Sequence, residues 1–214
     1  KEIEYLALPY LMKGLDNYVA VINSPIGEEW NKKLSAQKQM RLFGFLPRSP
    51  RQISANKVIN SMADLKGLKL RAPQRDYYVE SLSALGAKPT PMAFKEVYTA
   101  LQTGVVDGQE NPITVFKIAK METVGQMFMT RWDYVADPLI FAVNPRVWKQ
   151  FTPEDRKILI ETAKEAGKAG IAASRDGDDV AAKEITGKGV KITMLTPEER
   201  QKFVDATRGV YAEW

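Results

Sequence analysis

The sequence predicts an α/β fold, and three observations carry that prediction. Capping side chains stand directly before prolines at five places, short β-prone runs fall between them, and one long proline-free stretch rich in Ala, Lys and Glu follows. A Thr or Asn before proline marks a helix start, because its side-chain oxygen takes an orphan backbone N–H while the proline suits the first helical position. Thr90-Pro91, Asn111-Pro112, Asn144-Pro145, Thr152-Pro153 and Thr196-Pro197 supply five such starts, and Glu199 completes a capping-box pattern with Thr196. Strands alternating with helices imply a largely parallel sheet or sheets.

Taken in order, the chain opens on a strand-like run from Ile3 to Leu8, and Arg41 to Phe45 is the next β-prone run. Arg51 begins another, in an Arg-Gln-Ile context. Ser61 to Gly67 reads as a short capped turn of helix feeding a strand at Lys69 to Arg71, with Lys69 and Arg71 on one face and Leu70 on the other. Phe94, Val97, Tyr98 and Leu101 recur at helical spacing, which predicts a helix from Thr90 to the stop at Gly104, with one face packed in the core. Val105-Val106 follows as a short β-prone run, and Asp107 to Glu110 as a structural turn whose carboxylates are expected to be tied to backbone amides or a neighbouring arginine. Further strands are expected at Asp137 to Val143 and Val190 to Met194, flanking one long helix from Pro153 to about Thr186. Turn residues and a strand restart place crossings between lobes at Pro47 to Pro50 and Arg131 to Pro138.

With 214 residues, 44% of them apolar, the chain is long enough to bury a core in one large domain or two lobes. No run approaches eighteen consecutive apolar residues, and the first residues lack the layout of a signal peptide. The chain has neither cysteine nor histidine. That excludes disulfides, Cys/His zinc sites, Ser-His and Cys-His nucleophile pairs and histidine proton shuttles. The net charge of +5 is spread over mixed signs, with no basic stripe carrying interleaved aromatics, so nucleic acid is not an expected partner. A mild positive field favours anionic ligands.

Two arginines and one asparagine are the candidate ligand groups. Arg71, near the carboxyl end of a parallel strand, points toward the crevice where α/β proteins bind ligands, and its planar fork matches a carboxylate bidentately. Arg51 begins its own run with the same status. Asn111 has two competing uses, as cap of a helix starting at Pro112 or as a ligand donor. Asp107, Glu110 and Asn111 lack the spacing of an EF-hand loop, so no metal is expected, and no cofactor. An α/β enzyme using Asp107 or Glu110 as acid or base is the alternative reading of the same cluster.

The segments Leu65 to Pro73 and Leu85 to Pro112 resemble the solute-binding proteins of tripartite ATP-independent periplasmic (TRAP) transporters, and weaker similarity runs over the whole chain. The resemblance implies two α/β lobes joined by crossing strands and a long bridging helix, residues 1–48 with 137–176 and 49–136 with 177–214. It implies closure on a small organic acid in an interlobe cleft, delivery to a sodium-coupled membrane permease, a periplasmic location and a removed signal peptide, with no catalytic residues. In this likeness Arg71 pairs with the ligand carboxylate, Asn111 hydrogen-bonds the same group, Arg51 is a second ligand-facing arginine and Phe94 an aromatic wall. Trp132, Asp133 and Tyr134 stand where the family has an Asn-His-Gly-Tyr-like segment, here without histidine; Trp132 and Tyr134 are expected to contact ligand. The chain begins almost at the family's Ala-Leu-Pro-Tyr-Leu segment, so the expectation is that about the first quarter of the mature protein, and with it part of the first lobe, is absent.

Overall fold

A computed structural model describes residues 4–12, 15–46, 48–135 and 138–213. Pro47, Ala136 and Asp137 of the two expected crossings, and Ile3 of the opening run, lie outside the described residues. The chain forms two compact units: residues 1–7, 11–48 and 136–176, and residues 8–10, 49–135 and 177–214.

The first unit carries α1 (Leu15–Ile22), α2 (Pro25–Lys38), β1 (Arg41–Leu46), β7 (Leu139–Val143) and α7 (Pro145–Trp148). Its sheet is the antiparallel pair β1 and β7, with a register shift between Leu42 and Gly44. The Asn31 side chain grips the backbone of Leu42 on the bulged strand, accepting from its N–H at 2.9 Å and donating to its carbonyl at 2.6 Å. The long helix α8 (Pro153–Gly187) rides on β1 through small residues one turn apart: a Cβ at Gly44 would stand 2.4 Å from that of Ala163, and one at Gly167 would stand 3.1 Å from the Phe45 carbonyl. Instead of the expected opening strand, Glu4–Ala7 is a single 3-10 turn, whose Leu6 carbonyl accepts from the buried Tyr18 hydroxyl at 2.7 Å.

The second unit holds a six-stranded sheet in the order β4-β3-β5-β2-β6-β8. Its strands are β2 (Arg51–Ala55), β3 (Lys69–Ala72), β4 (Lys88–Pro91), β5 (Gly108–Pro112), β6 (Phe128–Arg131) and β8 (Lys191–Met194). The sheet is mixed: β2 runs antiparallel to both neighbours, while β3 with β4, β3 with β5, and β6 with β8 are parallel. Helices α3 (Met62–Leu65), α4 (Asp76–Ala84), α5 (Phe94–Gln102), α6 (Ile113–Ile118) and α9 (Pro197–Thr207) complete it. Val97, Leu101, Val106, Phe116, Met129 and Ile185 form one continuous core cluster.

Three of the five expected caps form. Asn144 accepts from Arg146 N–H at 2.8 Å, Thr152 from Asp155 N–H at 3.1 Å and Thr196 from Glu199 N–H at 3.2 Å. The other two are overridden by the sheet. Thr90 and Pro91 belong to the edge strand β4, and the helix starts at Phe94, where Glu96 caps the Ala93 N–H at 2.9 Å. Edge strands tolerate prolines, and here the two-residue period turns both missing donors, Pro89 and Pro91, to the outer side, while Lys88 and Met92 donate inward to Leu68 and Ala72. Asn111 lies in β5 opposite Gln52, and Pro112 itself precedes α6, so Asn111 caps nothing. Residues 108–110, expected as part of a turn, are strand; the expected strand at Val105-Val106 is the return from α5, which Gly104 ends at φ 71°, with Val106 folded back into the core. Pairing on both sides with β3 and β2 outweighs the local turn signals.

Gly108 marks the tightest approach in this sheet. An added Cβ would stand 2.3 Å from the Ser54 carbonyl oxygen and 2.9 Å from Leu70 Cδ2. Gly108→Ala is therefore expected to cost about 2 kcal/mol through forced strand displacement, lowering the urea midpoint with little change in slope.

Candidate functional site

The adjacency β3-β5-β2-β6 gathers the polar residues of four sequence segments on one unit. Strand β5 reads Gly-Gln-Glu-Asn-Pro and is buried along its length, as is β2. Buried polar groups persist only when their hydrogen bonds are satisfied, and here they satisfy one another.

Arg51 and Glu110 form the central pair. The Arg51 Nε donates to Glu110 Oε2, and Nη2 donates to Oε1 at 2.7 Å and to the Glu110 carbonyl at 2.8 Å. Tyr134 donates its hydroxyl to Oε2 at 2.8 Å. The Arg51 guanidinium also lies 5.0 Å from the centre of the Tyr78 ring. Burial pushes the Tyr134 hydroxyl well above the usual tyrosine value, and the Glu110 carboxylate adds to that.

A second network runs beside this pair in a single donor sense. Arg51 Nη2 approaches Asn111 Oδ1 at 3.3 Å, Asn111 Nδ2 donates to Gln109 Oε1 at 2.6 Å, and Gln109 Nε2 donates to Ser54 Oγ at 2.8 Å. Ser54 passes its proton toward Gln126 Oε1 at 3.0 Å, and Gln126 Nε2 ends the series on the Asp107 carbonyl at 3.2 Å. Asp107 is spent elsewhere, its carboxylate accepting from Lys69 N–H at 2.9 Å.

Arg71 is buried at 4% exposure, with Nε and Nη2 both donating to the Met92 carbonyl, at 3.1 and 2.9 Å. One side of the fork is thereby fixed to a neutral acceptor, and Nη1 has no partner among the described residues. Burial holds this guanidinium below the ordinary arginine value, Glu110 opposes that and Arg51 adds to it. Phe94, 47% exposed at the first position of α5, sets its ring 5.9 Å from the Arg71 guanidinium carbon.

The structure thus brings Arg51, Arg71, Asn111, Phe94 and Tyr134 into one region. Trp132 is placed differently, deep in the core against Phe203 and Tyr134, with ring centroids 6.0 and 4.0 Å away. Gln52 was not singled out by the sequence. It accepts from the N–H groups of Trp132 and Asp133 at 3.0 and 3.3 Å and donates to the Asp133 carboxylate, which holds that loop with Asp133 at φ 47°. Ser54 and Gln126 are likewise not singled out by the sequence, and Gln109 is read there as part of a turn. The signal of Gln52 and Ser54 is polar alternation within a β-prone run, which local reading assigns to solvent. A groove of about 640 Å³ in the first unit, lined among others by Trp30, Arg41, Phe43 and Lys164, contains none of these residues.

The profile of the bacterial extracellular solute-binding protein family 7 matches residues 1–214, and the chain belongs to that family. A solute-binding protein of Roseobacter denitrificans is 36% identical over 158 residues, covering 74% of this chain and 48% of that protein. Among solved structures, a TRAP periplasmic solute-binding protein from Ralstonia eutropha with bound (S)-2-acetolactate is 40% identical, with a TM-score of 0.89 over 100% of this chain and 69% of that one. A TRAP periplasmic solute-binding protein from a Polaromonas species, bound to D-erythronate, is 28% identical with a TM-score of 0.89, over 99% of this chain and 69% of that one. The chain spans roughly half to two-thirds of the length of the curated relatives it matches. No helix among the described residues is long and apolar enough to cross a membrane.

The raised Tyr134 hydroxyl has a consequence for alkaline stability. The folded chain keeps this proton at pH values where the unfolded chain has released it, so the contribution is complete below about pH 10 and is lost as pH rises beyond. Urea midpoints measured from pH 8 to 11 are expected to fall above pH 10, and Tyr134→Phe to make that fall shallower.

Proposed function

We propose that this chain is the binding component of a TRAP transporter, an extracytoplasmic receptor that takes a small organic acid and passes it to a sodium-coupled membrane permease. The observation that carries the reading is Arg71. Its guanidinium is buried and held in place by the Met92 carbonyl, with the Nη1 side unpartnered among the described residues. A carboxylate meeting that side accepts two parallel N–H bonds. Because the fork is already oriented, little rotamer freedom is lost on binding.

Asn111 is the second ligand donor in this reading. One amide proton is committed to Gln109, which fixes the amide orientation and leaves the other for the carboxylate. Arg51 acts at shorter reach, since its fork is occupied by Glu110. It adds positive field and steadies Asn111. Phe94 supplies an apolar wall beside Arg71, and Trp132 and Tyr134 serve by fixing the site from behind. The acids that a catalytic reading requires are both engaged, Glu110 with Arg51 and Tyr134 and Asp107 with a backbone N–H. The family consists of binding proteins, and no covalent step is needed for capture and release.

Arg71→Lys tests the assignment. Lysine keeps the charge but presents a single point donor, so affinity for a bound carboxylate is expected to fall about a hundredfold, about 2.7 kcal/mol. Calorimetric titration reads the change, and unchanged affinity would remove Arg71 from the role.

A further inference from the structure

Three charged residues are buried among the described ones, and all belong to this cluster: Arg51, Arg71 and Glu110. Glu110 is ion-paired with the Arg51 guanidinium and accepts from the Tyr134 hydroxyl, so it is the negative partner in the cluster. Two positive charges and one negative leave an excess of one. That excess resides at Arg71, whose protein partner is the neutral Met92 carbonyl. Glu110 and Arg51 lead the groups whose charge acts on Arg71, with the Tyr134 and Tyr78 hydroxyls after them. Asp133, in the loop after β6, is exposed and bonded to Gln52, outside this balance.

We infer that Glu110 is a specificity-determining residue: by cancelling Arg51 it sets the unmatched buried charge at one, so the site favours an acid with one carboxylate over an acid of similar size with two. The inference rests on the reading of Arg71 as the carboxylate partner. One carboxylate neutralises the cluster. A second carboxylate on a short scaffold enters the same buried cluster with no further buried cation among the described residues to meet it, and its desolvation goes uncompensated. Without Glu110 the excess would be two, and the preference would turn toward dianions.

The experiment compares D-erythronate with tartrate, four-carbon acids carrying one and two carboxylates, by titration calorimetry on the chain and two variants. The wild-type chain is expected to bind erythronate at least tenfold more tightly than tartrate. Glu110→Gln is expected to move that ratio at least tenfold toward tartrate. The double variant Arg51→Gln with Glu110→Gln restores an excess of one and is expected to return the ratio toward the wild-type value, whatever happens to absolute affinity. Equal binding of the two acids by wild type overturns the inference while leaving the carboxylate reading intact, as does a folded Glu110→Gln variant with an unmoved ratio. Should that variant fail to fold, the wild-type and double-variant ratios decide between the outcomes. If wild type binds neither acid, the carboxylate reading fails and the inference falls with it.

Discussion

The buried ion pair between Arg51 and Glu110 is the constraint on which the second unit depends. Two charges taken out of water are tolerated only if each finds its partner, and breaking such a pair from one side costs about 3 to 5 kcal/mol. The pair joins β2 to β5 where their ladder places Ile53 opposite Glu110 and Arg51 opposite Pro112. A slip of one residue would carry Glu110 to the other face, stranding both charges, so the ion pair and the ladder specify the same register. Tyr134 is drawn in by the same carboxylate, and with it the loop after β6. The cluster is therefore held in place by electrostatics.

The donor series from Arg51 through Asn111, Gln109, Ser54 and Gln126 to the Asp107 carbonyl extends that rigidity across the sheet. Each amide donates onward with nitrogen and accepts from behind with oxygen, so reversing one would set like groups against like on both sides. The arginine at the head and the carbonyl at the tail both favour the observed sense, and bonds aligned this way polarise one another. Asn111 thus faces Arg51 with oxygen and Gln109 with nitrogen by necessity rather than by chance. A residue that looks from sequence like a helix cap is instead part of a polar layer within the sheet.

Local chemistry was legible in the sequence and long-range pairing was not. Asn144, Thr152 and Thr196 cap helices because the donors they satisfy lie two or three residues away, and the expected long helix from Pro153 ends at Gly187, one residue past the Thr186 read from composition. Thr90 and Asn111 carry the same signal but lie in strands whose partners are about twenty to sixty residues distant in the chain. Family likeness singles out Arg51, Arg71 and Asn111, and the structure sets them on three adjacent strands. For the carboxylates of Asp107 and Glu110 a backbone amide or a neighbouring arginine was expected and each is found, but that the arginine is Arg51, and that Gln52, Gln109 and Gln126 form the scaffold, was not legible, since a polar residue looks solvated unless its partners across the sheet are known. Trp132 shows the reverse case, an aromatic expected at the ligand and found in the core.

The prolines of β4 bear on how these molecules behave together. Because Pro89 and Pro91 both turn a missing N–H outward, a strand from a neighbouring molecule approaching this side finds acceptors without alternating donors and can close only half a ladder. The sheet is thus blunted on that margin against edge-to-edge growth. Pro91, which with Thr90 reads as a helix start in the sequence, thus acts together with Pro89 to keep neighbouring molecules apart.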